Sequence, residues 1–385
     1  MRLCVVYDCL FPYTVGGGER WYRNVAERTA RAGHEVTYLT LRQWDRGERV
    51  EIDPNVRVVA VGPRMALYTA SGRRRILPPL VFGLGVLLHL LRHGRRYDVL
   101  DTCAFPYFSL LAAAAVRPLA RYELVVDWFE VWSLSYWREY LGARAGSVGM
   151  LVQRLCALVR QRAYCFSELH AQRLREEGLR GSVTVLRGLY APAVAPVPGQ
   201  ARAVPTVLVA GRLIPEKRVP LAVAAIALAS ERIEGLRGVI LGDGPEREAV
   251  RAAIAEHGLA ETVSAEGFAP NETVEREMGA AMCMLLTSRR EGYGMVVVEA
   301  AAHGSPSVVL AGEDNAATEL IEEGVNGTVV ASQDVRAIAE GIVRVHLAGE
   351  QMRASTRDWY AHNAERLSLE SSLERVLADY ASARA

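Results

Sequence analysis

Arg212 and Lys217 are the residues of this chain best suited to hold a phosphate. They lie in Gly211-Arg212-Leu213-Ile214-Pro215-Glu216-Lys217, just after an apolar run. Arginine offers a planar fork of donors and lysine a compact point charge on a flexible stem. Lys217 is the single lysine among 45 basic residues. A site that needs an ammonium is one reading of it. A stray codon at a solvated helix end is the other.

The neighbouring segments favour the site. Residues 204–210 form a Val-rich apolar run that reads as a buried strand, and an Ala-rich helix resumes over 220–230. Arg212 and Lys217 therefore sit on a strand-to-helix loop. In open α/β sheets, ligands bind outside the carboxyl ends of the strands. Residues 238–244 (GVILGDG) repeat the pattern, with a helix from Pro245. Residues 281–287 (AMCMLLT) do so again, followed by Ser288-Arg289-Arg290-Glu291-Gly292-Tyr293-Gly294 and a helix. A site assembled from three strand ends is the expectation.

These loops need a frame, and the chain has room for one. Its 385 residues, half of them hydrophobic, suit two α/β domains. The net charge of +1 argues against a general nucleic-acid-binding role. Six cysteines and eight histidines show no CxxC pair and no metal-ligand spacing. They read as reduced cysteines of a cytoplasmic protein. Residues 1–10 read as a first strand, not a signal peptide.

The first half alternates strands (3–7, 36–40, 56–61, 99–102, 124–126, 164–166, 183–186) with helices, the first helix running from about Glu19 to Ala32. Mostly parallel sheets covered on both faces are expected. The predicted domains are residues 1–190, a Pro-rich linker over 191–205, a second domain over 206–360, and a C-terminal helix over 361–385 that packs back on the first. Two similar-sized domains would enclose a cleft. Residues 76–91 are almost wholly apolar, between Arg73, Arg74, Arg75 and Arg92, Arg95, Arg96. The run is short for a membrane span and reads as a buried helix or as one resting on an anionic membrane surface.

The matching pieces, in order, resemble family 4 glycosyltransferases. They are Gly16-Gly17-Gly18-Glu19-Arg20, GRLIPEK over 211–217, GDGPER over 242–247, EGYGMVVVEA over 291–300, Asp314-Asn315-Ala316, and Glu319-Leu320-Ile321 with Glu323-Gly324-Val325-Asn326-Gly327. The resemblance implies the GT-B fold, two facing Rossmann-like domains with parallel sheets and an interdomain cleft. It implies a retaining hexosyltransferase that uses a UDP- or GDP-sugar as co-substrate and needs no metal; no Asp-x-Asp occurs in the chain.

By the resemblance, Arg212 and Lys217 clamp the donor diphosphate and stabilise the leaving charge. Gly16, Gly17 and Gly18 approach the same phosphates. Glu291 faces the donor sugar, with Gly292, Tyr293 and Gly294 presenting backbone N–H groups. Glu299 accepts from the ribose hydroxyls. Retention is attributed in the family to front-face attack, the leaving phosphate taking the acceptor proton. Three departures affect the donor sugar and the acceptor. Residues 127–132 (DWFEVW) hold no histidine where relatives carry one, Asp101 replaces another frequent histidine, and Arg187-Gly188 replaces Asn-Gly.

Trp128, Phe129, Trp132, Tyr136, Trp137 and Tyr140 crowd the first half. Aromatic faces stack on sugars or pack in cores. Asp127, Trp128, Glu130 and Trp132 are thus acceptor-site candidates, with helix packing as the other reading. The acceptor expected is a lipid-linked or cell-envelope glycan, with peripheral membrane contact at the inner face. A small soluble acceptor such as a natural product, or a non-catalytic sugar-nucleotide-binding protein, are the alternatives. A dinucleotide-dependent oxidoreductase is disfavoured, because no G-x-G-x-x-G follows the first strand.

Overall fold

The computed structural model describes residues 1–45, 47–67, 69, 74–192, 195–196 and 198–382. Arg73 and residues 193, 194 and 197 of the Pro-rich segment lie outside the described residues. The chain forms two compact units. The first takes the chain up to Leu189 and returns at Leu369; the second spans Tyr190–Ser368.

The first unit runs β1 (Arg2–Val6), α1 (Gly17–Arg31), β2 (Glu35–Leu41), β3 (Val56–Gly62), α2 (Leu77–His93), β4 (Val99–Cys103), α3 (Phe108–Ala120), β5 (Glu123–Trp128), α4 (Leu134–Leu141), α5 (Ala143–Ala157), β6 (Gln161–Cys165), α6 (Glu168–Glu176) and β7 (Gly181–Val185). All seven strands are parallel, ordered β3-β2-β1-β4-β5-β6-β7. Right-handed crossovers put α1 on one face and α2 to α6 on the other, because the strand order reverses direction at β1.

The strands alternate accordingly. Cys4, Val6, Leu100, Leu124, Val126 and Trp128 join Phe82, Val86 and Leu90 of α2 in one core. Asp101 and Asp127 point to the opposite face, beneath α1 and the C-terminal helix. There Trp21 Nε1 donates to Asp127 Oδ2 at 2.7 Å, and the Tyr380 hydroxyl donates to Asp101.

The second unit runs β8 (Thr206–Ala210), α7 (Val219–Ser230), β9 (Arg237–Leu241), α8 (Arg247–Glu256), β10 (Val263–Gly267), α9 (Asn271–Ala280), β11 (Cys283–Leu286), β12 (Arg290–Glu291), α10 (Met295–Ala302), β13 (Ser307–Leu310), β14 (Asp314–Asn315), β15 (Gly327–Val330) and α11 (Val335–Leu367), kinked at Gly349. Its six-stranded parallel sheet is ordered β10-β9-β8-β11-β13-β15. The short strands β12 and β14 pair separately.

Two boundaries differ from the sequence reading. The stretch 198–205 is docked on the second unit: Arg353, almost fully buried, donates to Gly199 O at 2.9 Å, Gly279 O at 2.8 Å and Ala281 O at 2.6 Å. The return to the first unit comes at Leu369, not at 361. Only α12 (Leu369–Ser382) packs there, through Arg28–Glu370 and through Tyr164, whose hydroxyl donates to Asp379 at 2.9 Å. The buried anchor Arg353 keeps the preceding helix on the second unit.

Candidate active site

In the second unit the loops after β8, β9 and β11 are bonded to one another. Arg289 N donates to Glu216 O at 2.8 Å. The Thr287 hydroxyl donates to Lys217 O at 2.9 Å and to Arg218 O at 3.1 Å. Leu213 N donates to Asp243 O at 3.0 Å, and Glu246 N to Leu213 O at 2.9 Å. Gly242 permits this approach, since a Cβ there would come within 1.8 Å of Gly211 O. Backbone bonding thus fixes the loops that carry the sequence-predicted residues.

Across that junction, Lys217 Nζ donates to Glu291 Oε1. Lys217 and Glu291 side chains retain 22% and 12% exposure, so the pair is reachable by a ligand. Arg212 stands exposed on the same loop as Lys217. Arg290 is half-buried on β12, next to Glu291; desolvation lowers its pKa to about 10, opposed by Glu291 and Asp314.

Gly292, Tyr293 and Gly294 complete the turn into α10. Gly294 has φ 96°, and a Cβ on it would lie 2.4 Å from Ala317 Cβ, so backbone conformation and packing both select glycine. The first turn of α10 carries unpaired N–H groups and the positive end of the helix dipole. Glu299 lies on α10, half-buried. Cations, open N–H groups and two carboxylates from neighbouring loops suit an anionic ligand that also carries hydroxyls.

Asn315 supports this arrangement, and the sequence reading gave it no role in the site. It is buried, donates to Ser288 O at 3.1 Å and Leu310 O at 2.7 Å, and accepts from Ala317 N at 3.0 Å. Its place beside β12 comes from a pairing about 24 residues distant, which local pattern does not reveal.

In the first unit, Gly17 and Gly18 form the opening turn of α1 instead of ending a loop, with Gly16 extended before them. A Cβ on Gly18 would lie 2.7 Å from the Tyr7 hydroxyl oxygen. The loop-to-helix boundary therefore falls two residues earlier than expected.

The acceptor reading of Asp127 and Trp128 is corrected. Both are fully buried: Asp127 accepts from Trp21 under α1, and Trp128 Nε1 donates to Gln161 Oε1 at 2.8 Å. Trp132 Nε1 donates to the half-buried Glu130 at 2.6 Å.

The aromatic cluster packs around Gln153, a residue the sequence reading missed. Its Oε1 accepts from the Tyr107 hydroxyl at 3.0 Å, Trp132 N at 3.0 Å and Trp137 Nε1 at 3.1 Å. Fully buried, Gln153 satisfies the polar edges of an otherwise apolar cluster. Trp132 keeps 8% of its surface. Among the described residues no group of three or more His, Cys, Asp or Glu is placed to hold a metal ion.

Two parallel-sheet, Rossmann-like units with a loop-built anion site define a GT-B glycosyltransferase scaffold. The family model described as "Glycosyltransferase Family 4" matches residues 15–188, and that described as "Glycosyl transferases group 1" matches residues 197–359. The chain belongs to the family 4 glycosyltransferases. It is 28% identical over 165 residues to the GDP-mannose-dependent alpha-(1-6)-phosphatidylinositol monomannoside mannosyltransferase of Mycobacterium tuberculosis, covering 40% of this chain and 42% of that protein. It is 32% identical over 141 residues to the alpha-D-kanosaminyltransferase of Streptomyces kanamyceticus, covering 37% of this chain and 36% of that protein. The chain thus spans well under half the length of these curated relatives. Anabaena HepE in complex with UDP-glucose shares the fold at a TM-score of 0.70 and 16% identity, covering 99% of this chain and 100% of that one.

Proposed function

We propose that the protein transfers a hexosyl unit, with retention, from a UDP- or GDP-sugar to an acceptor hydroxyl on a lipid-linked or envelope glycan. The observation that carries this reading is the junction of Lys217, Arg212 and Glu291 at the start of α10. The donor leaves as a nucleoside diphosphate, so charge grows on the leaving group as the glycosidic bond breaks. Arg212, Lys217 and the N–H groups of the α10 turn meet that charge with donors already in place. Glu291 holds hydroxyls of the donor sugar and Glu299 those of the ribose. The diphosphate oxygen takes the acceptor proton as the acceptor oxygen bonds to the anomeric carbon on the same face. This route requires neither a protein nucleophile nor a divalent metal.

The relative that acts on a phosphatidylinositol mannoside supports a lipid-linked acceptor, and reaction would then occur at the inner face of the cytoplasmic membrane. The kanosaminyltransferase relative supports the second reading, a soluble natural-product acceptor. The test begins with thermal stabilisation by UDP-, GDP- and dTDP-sugars. A true donor at about 100 times its Kd should add roughly 2.7 kcal/mol. The stabilising donor is then offered with lipid-linked and soluble acceptors, and the product anomer is read by NMR. No stabilisation by any nucleotide sugar, or an inverted product, would overturn the reading.

A further inference from the structure

Helix α2 buries one side and leaves the other bare. Phe82, Val86 and Leu90 enter the core of the first unit. Leu77, Leu80, Leu84, Leu88 and Leu91 face outward with 43–61% of their surface exposed. Their spacing of three or four residues makes one stripe along the whole helix. The stretch Leu77–Arg96 is long and apolar enough to cross a membrane, yet 39% of it is buried within the unit. That buried side is core, so the segment can lie on a bilayer but cannot span one without unfolding its unit.

The stripe has company. Helix α5 lies on the same side of the sheet as α2, and it exposes Val148, Leu151 and Leu155, again at helical spacing. Between them α3 exposes Leu119. None of α2, α3 and α5 contains an acidic residue. The other helices differ: α4 carries Glu139 and α6 Glu168 and Glu176 on the same face, and on the opposite face α1 carries Glu19 and Glu27 and α12 Glu370.

The charges identify the occupant. Arg75 precedes the α2 stripe; Arg92, Arg95 and Arg96 follow it, and all four are exposed. Nearby Asp98 is paired with Arg2 at 2.8 Å, and Glu123 with Arg162 at 2.9 Å. A second copy docked stripe to stripe would set arginine against arginine, whether the helices ran parallel or antiparallel. Phospholipid headgroups supply anions for Arg92, Arg95 and Arg96, and acyl chains cover the leucines.

We propose that this α2–α3–α5 layer is a docking face for an anionic membrane surface. It deepens the lipid-acceptor reading and rests on that reading for its purpose, since it would hold the first unit where lipid-linked acceptors lie. The docking itself is measurable without turnover.

The test is co-sedimentation of the full chain with vesicles of phosphatidylcholine alone or with about a third phosphatidylglycerol. Binding is expected to the anionic vesicles at low salt, fading towards 0.5 M as charges are screened. Arg92→Gln/Arg95→Gln/Arg96→Gln should weaken it on the order of 100-fold, from about 1 kcal/mol per basic residue. Leu80→Ser/Leu84→Ser/Leu88→Ser should abolish it. These side chains are exposed, so the fold should persist, which circular dichroism checks. In both variants stabilisation by the donor and transfer to a detergent-dispersed acceptor should be unchanged. Absence of binding to anionic vesicles at low salt overturns the proposal, even if sugar transfer is intact. A concentration-dependent dimer that the leucine variant dissociates, without vesicle binding, overturns it in favour of a second copy. Vesicle binding without response to any nucleotide sugar supports the docking face and sinks the transferase reading instead.

Discussion

Lys217 Nζ donates to Glu291 Oε1, joining the residue expected to hold the donor diphosphate to the residue expected to face the donor sugar. The two lie 74 positions apart in sequence, and the contact exists because the loops after β8 and β11 are bonded backbone to backbone. Each balances the charge of the other. On the proposed reading, a diphosphate that draws Lys217 away would free Glu291 for the sugar hydroxyls, which would link phosphate capture to sugar capture.

The pair sets up opposite effects in two variants. Lys217→Ala should lower kcat/KM by at least about 100-fold, the scale for removing one donor from a charge-stabilising site. Lys217→Arg should remain impaired because the fork geometry differs. Glu291→Gln should lose transfer comparably, yet bind free UDP or GDP as well as wild type or better, because Lys217 is released. Steady-state kinetics and nucleotide calorimetry read the two quantities. Equal loss of nucleotide affinity in the lysine and glutamine variants would show that the pair is structural.

Asn315 offers a test of how the loops are held. Its side chain bonds Ser288 O and Leu310 O and caps Ala317 N, all buried or nearly so. Asn315→Ala leaves those groups without a side-chain partner, at about 1–3 kcal/mol for each group that stays unsatisfied. A lower Tm and a raised KM for the donor are expected together. An unchanged melting curve with impaired transfer would assign Asn315 to the chemistry instead of the scaffold.

What was legible in the sequence follows from how parallel sheets are built. Strands covered on both faces are apolar throughout, so runs such as Val207–Leu208 and Cys283–Leu286 announce themselves, and the glycines after them mark the loops. What was not legible depends on partners distant in the chain. Gln153 reads as a surface polar residue until Tyr107, Trp132 and Trp137 converge on it. Asp127 and Trp128 read as acceptor candidates because they belong to a crowd of aromatic residues that could stack on a sugar, but α1 covers one and the helix layer covers the other. The α5 stripe was overlooked because its three exposed apolar residues are interrupted by glycine and glutamine, whereas the uninterrupted run of α2 was plain.

Metal dependence can be settled directly. The sequence lacks Asp-x-Asp, and on the proposed reading Arg212 with Lys217 fills the electrostatic role that a divalent ion would otherwise take. Transfer should keep its rate in excess EDTA. Loss of activity on chelation, restored by Mn²⁺ or Mg²⁺, would refute the cationic clamp as the whole of the leaving-group stabilisation.

The buried carboxylates make the first unit sensitive to pH. Burial raises the Asp127 pKa from an ordinary carboxylate value to about 7, against the nearby Tyr22 hydroxyl and the hydrogen bond from Trp21, which lower it. Asp101 is raised as well, by burial and by the neighbouring Asp127 charge. A carboxyl whose native pKa is raised keeps its proton when the unfolded chain has lost it. The native state therefore binds more protons between about pH 4 and pH 7, and stability falls as pH rises through that window. The Asp127 contribution is roughly 4 kcal/mol at most, from the size of the shift. Asp127→Asn keeps an oxygen to accept from Trp21 Nε1 and cannot ionise. Urea denaturation of wild type should show stability decreasing from pH 4.5 to pH 7.5, and the Asn variant should show a shallower decrease and greater stability at the alkaline end. Parallel curves for the two proteins would mean that Asp127 is already ionised across the range, with its charge held by Trp21.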